Sequence, residues 1–258
     1  MREILKLENV SLTYQAENGE VEALRDISFS AREGELISIV GPSGCGKSTL
    51  LSIIAGLVVP SSGNVSIGGI SIAGVSDKIG YMLQKDNLLD WRNIRSNVLL
   101  GLEIRKMLTK ENIRYVDSLL EIYGLAEFGG KYPSQLSGGM RQRAALIRTL
   151  AIKPELLLLD EAFSALDYQT RLAVSQDVCG ILKKENKTAL IVTHDIPEGI
   201  SLAERVVVMT ERPGGIKSIH EMSFDNGDGA VLTPLQRRNH PAFSKYFNLL
   251  WGELNVQE

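Results

Sequence analysis

Eight residues near the amino end, Gly41-Pro-Ser-Gly-Cys-Gly-Lys-Ser48, fit G-x-x-x-x-G-K-[ST] without a mismatch. The chemistry of such a run is phosphate binding. Gly41, Gly44 and Gly46 let the backbone wrap closely around an anion. Loop N–H groups of Ser43, Gly44, Cys45 and Thr49, with a helix N-terminus opening near Lys47, point at the charge, while Pro42 in the same run has no N–H to donate. Lys47 would reach the β- and γ-phosphates of a nucleotide, and the Ser48 hydroxyl would ligate Mg²⁺. Cys45 has two readings: a thiol activated by the helix end, or a filler of the loop. A second pair follows four leucines, Leu156-Leu-Leu-Leu159, at Asp160-Glu161. Acids at the carboxyl end of a buried strand face the place where open α/β sheets bind ligands. Asp160 would hold the metal, directly or through water. Glu161, one residue further out, would orient and polarise an attacking water.

A third run, Leu136-Ser137-Gly138-Gly139-Met140, leads into a helical pattern through Ala144, Leu146, Ile147 and Leu150. Ser137 is a natural N-cap, and Gly138 and Gly139 expose backbone N–H groups. Standing alone, this is a capped helix. In a two-fold dimer it could complete the partner's nucleotide site.

These residues need elements to hold them. Leu36–Val40, Leu156–Leu159, Leu190–Val192 and Val206–Met209 are short apolar runs that read as buried strands. Residues 48–56, 138–152 and 166–184 read as helices between or after them. Strands alternating with helical crossovers imply a parallel or mixed sheet covered on both faces. Leu5–Tyr14 and Val21–Ser30, separated by a turn at Glu17-Asn18-Gly19, read as an antiparallel pair beside that core. Between residues 86 and 136 the pattern is helical, through Ile94–Arg105 and then from an N-cap at Thr109 to a stop near Gly124. The expected fold is α/β: a phosphate-loop core with an antiparallel β-segment and an inserted helical subdomain. Residues 1–258 read as one unit. Residues 1–85 and 155–224 are its core, 86–154 the helical part, and 225–258 a tail. The tail opens with a turn at Asp225–Gly229 and carries an amphipathic helix over Pro241–Leu254, read as docked on the core, with a partner-binding helix as the alternative.

Composition limits the remaining classes. The 258 residues carry a net charge of −3, with 44% hydrophobic and 23% charged, as in an ordinary globular chain. A global basic field for nucleic acid is absent. Two cysteines cannot build a disulfide framework, which suits a reducing compartment. No leader pattern opens the chain, and no apolar run is long enough to span a bilayer.

Taken together, Leu136–Met140 with Arg141-Gln-Arg143 resembles the signature of ATP-binding cassette proteins, and the family's other motifs follow in order. Tyr14 resembles the aromatic residue that stacks on adenine. Gln84, after an apolar strand over Ile79–Leu83, resembles the glutamine that senses Mg²⁺ and contacts the membrane subunit. Ser164-Ala-Leu-Asp167 resembles the loop that crosses the dimer interface, and His194 the histidine that contacts the γ-phosphate. The resemblance runs over about Leu5–Pro213. It implies ATP and Mg²⁺ as ligands, Glu161, His194 and Lys47 as catalytic residues, and Ser48, Gln84 and Asp160 around the metal. Tyr14, the Gly41–Thr49 loop, Ser137, Gly138, Gly139 and Asp167 would bind nucleotide.

Leu88-Leu-Asp-Trp91-Arg-Asn, Glu211-Arg-Pro-Gly214, Arg238-Asn-His-Pro241 and the methionine of the signature resemble the nitrate/sulfonate/taurine-type importers. Asp90 stands where that group usually has proline. The resemblance implies an ATPase subunit on the cytoplasmic face of a cell membrane. It would act as a homodimer or beside a related cassette, with two permease subunits, an extracytoplasmic solute-binding protein and no nucleic acid. Nitrate, alkanesulfonates, taurine and vitamin-precursor pyrimidines are the implied solutes. A soluble cassette ATPase without a transport role is the alternative.

Overall fold

The chain folds around two sheets. The computed structural model describes residues 2–16, 19–164, 166–225 and 232–255. Strands β1 (Glu3–Ala16) and β2 (Gly19–Arg32) pair antiparallel, as their alternating pattern predicts. Glu17 and Asn18 of the expected turn lie outside the described residues. Next come β3 (Leu36–Val40), helix α1 (Lys47–Ile54), β4 (Ser62–Ile67), β5 (Ile70–Ser71) and β6 (Ile79–Met82). The helical stretch holds α2 (Ile94–Ile104), α3 (Lys110–Ile122) and α4 (Gly138–Ala151). The core resumes with β7 (Leu156–Asp160), α5 (Tyr168–Lys184), β8 (Thr188–Val192), α6 (Ile196–Leu202) and β9 (Arg205–Met209). It closes with β10 (Ile216–Glu221), α7 (Pro234–Asn239) and α8 (Ala242–Asn255).

The antiparallel sheet has the order β2-β1-β4-β5, and the main sheet β10-β9-β3-β8-β7-β6. From β9 to β6 all neighbours are parallel, and only β10 runs antiparallel. Both faces of the central strands are buried, so their sequences run apolar without alternation. On β7, Leu156 and Leu158 pack with α1 and the antiparallel sheet, whereas Leu157 and Leu159 face α2–α5. Residues Leu190 and Ile191 of β8 divide in the same way. Each such leucine, moved from water to the core, contributes about 1.5–3 kcal/mol. β3 lies between β8 and β9, so the loop leaving β3 at Gly41 emerges among the carboxyl ends of both.

The helices begin where local capping dictates. Thr109 accepts from Asn112 N, Ser137 from Met140 N, and Asp167 from Thr170 N. The third of these moves the start of α5 from Leu166 to Tyr168. Strands β4, β5 and β10 and helices α6 and α7 do not stand out in the sequence. In the tail, Leu250 of α8 is buried, with Phe243, Tyr246, Phe247 and Leu254 packed around it. Trp251 is instead 54% exposed, stacked on Phe247. Residues 226–229 of the expected tail turn lie outside the described residues.

Candidate active site

The loop 41–46 joins β3 to α1 with Gly44 and Gly46 at φ +77° and +104°, a region open to glycine. Gly46 also packs against Leu24, whose Cδ2 would lie 2.7 Å from any added methyl. Lys47 is buried, and its ammonium donates to the carbonyls of Gly41 and Pro42, both at 2.8 Å. This holds the charge within the loop. Cys45 is 1% exposed and packs in the core beneath the loop, its sulfur 3.7 Å from the Lys47 ammonium, a place that fits the loop-filler reading.

Ser43, Gly44, Gly46, Lys47, Ser48 and Thr49 line a cavity of about 650 Å³ together with Gln84, Glu161 and His194. These come from the ends of β3, β6, β7 and β8. Ser48 Oγ donates to Asp160 Oδ1 at 3.1 Å, and Tyr81 Oη lies 3.4 Å from Asp160 Oδ2. Burial raises the Asp160 carboxyl above its ordinary pKa, against the Ser48 hydrogen bond. The same burial pushes the Tyr81 phenol up to about 12. Glu161 turns out of β7 at φ +47°, a strained conformation for a non-glycine residue. Its Oε2 accepts from Gln84 Nε2 at 2.9 Å and lies 3.4 Å from His194 Nδ1. A carboxylate, an amide and an imidazole thus meet beside the loop lysine. Such a set can bind a triphosphate and direct a water at its end.

The ABC transporter family pattern matches residues 24–164, more than half of the chain. The chain belongs to the ABC transporter family. It is the ATP-binding subunit of such a transporter, and an ATPase. An ABC transporter ATP-binding protein of Bacillus subtilis, YtlC, is 47% identical over 98% of this chain and 96% of its own. The taurine import ATP-binding protein TauB of Roseobacter denitrificans is 38% identical over 96% of this chain and 94% of its own. Among solved structures, a dimeric post-hydrolysis state of the ATP-binding cassette MJ0796 bound to ADP and Pi matches with a TM-score of 0.76. It is 33% identical, covering 85% of this chain and 99% of that one. The cassette fold, with its mixed sheet, antiparallel β-segment and helical region, is therefore the one expected.

Other residues expected at the site stand apart from the cavity. Ser137, Gly138 and Gly139 open α4 outside its lining, and Asp167 caps α5. Hydrogen bonding from Thr170 holds the Asp167 carboxyl below its usual range. Tyr14 is on β1, 43% exposed and also outside the lining. The Gln84 segment is pinned to α4. Arg141 Nε donates to Asp86 Oδ2 at 3.0 Å, and Arg148 donates to the carbonyls of Asp86 and Asn87, both at 2.7 Å. Trp91, just beyond, is 75% exposed.

The sequence reading missed one lining residue, Arg212. It sits past the end of β9, on the other side of β3 from His194. Among the described residues its guanidinium has no ion pair. The signal was present in Glu211-Arg-Pro-Gly214, which the resemblance treated only as a subfamily mark.

Proposed function

We propose that the cassette hydrolyses ATP to drive a bacterial importer of a small solute of the taurine, alkanesulfonate or nitrate type. The observation that carries the ATPase half is the gathering of Lys47, Ser48, Gln84, Glu161 and His194 around one cavity, with Ser137–Gly139 outside it. A nucleotide on the Gly41–Thr49 loop of one copy would meet Ser137–Gly139 only from a second copy. The dimeric cassette MJ0796 supports that arrangement. In this reading Tyr14 stacks on the base, and Asp167 belongs to the loop between the copies.

Lys47 and the loop amides neutralise the phosphates. Glu161 Oε2 accepts from Gln84, which leaves the other carboxylate oxygen to take a proton from the attacking water as general base. His194 steadies Glu161 and the terminal phosphate. The donors near Ser48 suit Mg²⁺: a hydroxyl oxygen bonded to a buried carboxylate, with the Gln84 amide nearby, all of them hard oxygen ligands. Among the described residues no three His, Cys, Asp or Glu side chains gather as a metal cage. Mg²⁺ needs none, since it keeps waters and takes phosphate oxygens. When bound, it would neutralise phosphate charge.

The taurine import protein's likeness supports the importer half. So does Trp91, an exposed aromatic beside the Gln84 segment and suited to a permease contact. Residues 86–154 would act as the helical arm that carries closure to the permease. Among the described residues no helix is long and apolar enough to cross a membrane, so substrate passage falls to partner chains. Binding ATP better in the closed dimer than in the open one supplies the free energy that switches them.

The test is affinity capture of the tagged chain from detergent-solubilised native membranes. Recovery of a multi-span permease in near-equal amount is expected. Recovery of soluble partners alone would overturn the importer reading and leave a soluble cassette ATPase.

A further inference from the structure

We infer that Arg171 is a positioning residue that joins the surface this copy offers to its partner's nucleotide with the histidine it aims at its own. The inference rests on the roles given above to His194 and to Ser137–Gly139. Three contacts in series make the connection. At the signature end, Gly139 packs against the start of α5. A methyl added there would lie 3.2 Å from Thr170 Cγ2 and 3.4 Å from Leu166 Cδ2. At the middle, Arg171 Nη2 donates to the Leu166 carbonyl at 3.0 Å. At the far end, Arg171 Nη1 donates to Asp195 Oδ2 at 3.1 Å.

Asp195 immediately follows His194 and fixes its turn. Its Oδ1 accepts from Glu198 N at 2.9 Å, capping α6, and its own N–H donates to Thr193 Oγ1 at 3.0 Å. Thr193 in turn bonds Glu198 Oε2 at 2.5 Å. His194 therefore sits on a turn held from below by α6 and from the side by one guanidinium. A planar fork with two separate acceptors suits that task, because its two bonds set direction as well as distance.

The network is also unsaturated. Arg171 Nε and Glu198 Oε1 are both buried without a hydrogen-bond partner among the described residues. Buried polar atoms are nearly always paired. These two atoms are the unsatisfied donor and acceptor of the network, and its remaining contacts tie Leu166 to Asp195. When a partner's nucleotide presses on Ser137–Gly139, the displacement of Leu166 reaches Arg171 and, through Asp195, the His194 turn. The two sites of a dimer are thereby coupled, and each hydrolyses only when the other surface is engaged.

The experiment compares full-length wild type, Arg171→Met, Arg171→Lys, His194→Ala and the Arg171→Met/His194→Ala double variant. For each, ATP affinity, kcat, KM, the Hill coefficient of hydrolysis and Tm are measured. Arg171→Met should lower kcat about 10- to 100-fold, as a misplaced catalytic group does. ATP affinity should stay within about twofold, the Hill coefficient should fall toward one, and the double variant should add little to His194→Ala. Arg171→Lys, which can reach one acceptor but not both, should fall between. If His194→Ala is inactive but Arg171→Met keeps wild-type kcat and Hill coefficient, the inference is wrong and the site reading stands. If Arg171→Met loses Tm and ATP affinity together, Arg171 is only a structural prop. If His194→Ala keeps full activity, the role given to the histidine fails first, and the coupling with it.

Discussion

Replacing Gly214 with alanine tests whether the phosphate loop is held in place by the chain returning from β9. Gly214 N donates to the Ala23 carbonyl at 3.0 Å, and Arg25 N donates to the Gly214 carbonyl at 2.9 Å. These bonds pin the 211–215 segment to β2. Its φ is not in the left-handed region, so alanine adds no backbone strain. The effect is steric alone: the new methyl would lie 2.0 Å from the Cys45 carbonyl oxygen and 3.0 Å from Met209 Cε. Ordinary contact begins near 3.4 Å, so the loop or the clamp must give by about 1.4 Å. Overpacking of this kind costs about 1–3 kcal/mol. In a chain of this size that lowers Tm by roughly 2–12 °C. A 1 Å error at a catalytic loop lowers turnover about 100-fold. The assay is phosphate release at saturating ATP, with Tm by differential scanning fluorimetry. Gly130→Ala is the control, because nothing lies within 4 Å of its methyl and its φ is ordinary. A Gly214→Ala protein with wild-type turnover and Tm would refute the reasoning, since no clash of this size could then have reached the loop.

Three further outcomes are expected. Glu161→Gln keeps an oxygen that can accept from Gln84, so ATP binding and Tm should hold while kcat falls about 10²- to 10⁴-fold. An ATP-bound dimer should persist in size-exclusion chromatography, and turnover within fivefold of wild type would remove Glu161 as the base. Arg212→Ala takes from the cavity a guanidinium with no ion pair among the described residues and should weaken binding of a fluorescent ATP analogue about tenfold, as for one hydrogen bond to a charged group; an unchanged Kd would take Arg212 out of the site. Burial pushes the Glu253 carboxyl up, but hydrogen bonds from Ser218 and His220 outweigh it and hold the pKa below 4.5. A depressed acid stabilises above its unfolded pKa and loses that contribution as pH falls through the folded value. Amide exchange over α8 should therefore rise as pH drops below 4.5, and Glu253→Gln should show the faster exchange already at neutral pH.

Much of the site was legible because its parts are locally encoded. The loop glycines, Lys47 and Ser48 act within a few residues of one another, and strand β3 and helix α1 follow directly from their apolar patterns. The caps at Thr109 and Ser137 reach only three residues ahead. The elements missed carry weak local patterns. β4 reads Ser-Gly-Asn-Val-Ser-Ile, β5 is two residues long, and β10 is a half-exposed strand at the edge of the main sheet. Edge and hairpin strands bury too little apolar surface to stand out from loops.

By itself, then, the sequence determined the phosphate loop, the acids at the end of β7, the alternation of buried strands with helices, and the family they announce. Only the tertiary structure decided what those residues face. Cys45 lies two residues before Lys47, and its thiol is buried in the core beneath the loop, 3.7 Å from the Lys47 ammonium. Arg212 reaches the cavity because β9 pairs with β3, and His194 because β8 pairs with β3 on the other side. Arg171 reaches both Leu166 and Asp195 because α5 runs past the turn after β8. Parallel strand order is chosen by the packing of both sheet faces at once, across loops of many residues. No window of local sequence contains that choice, so the partners it creates become visible only in the folded chain.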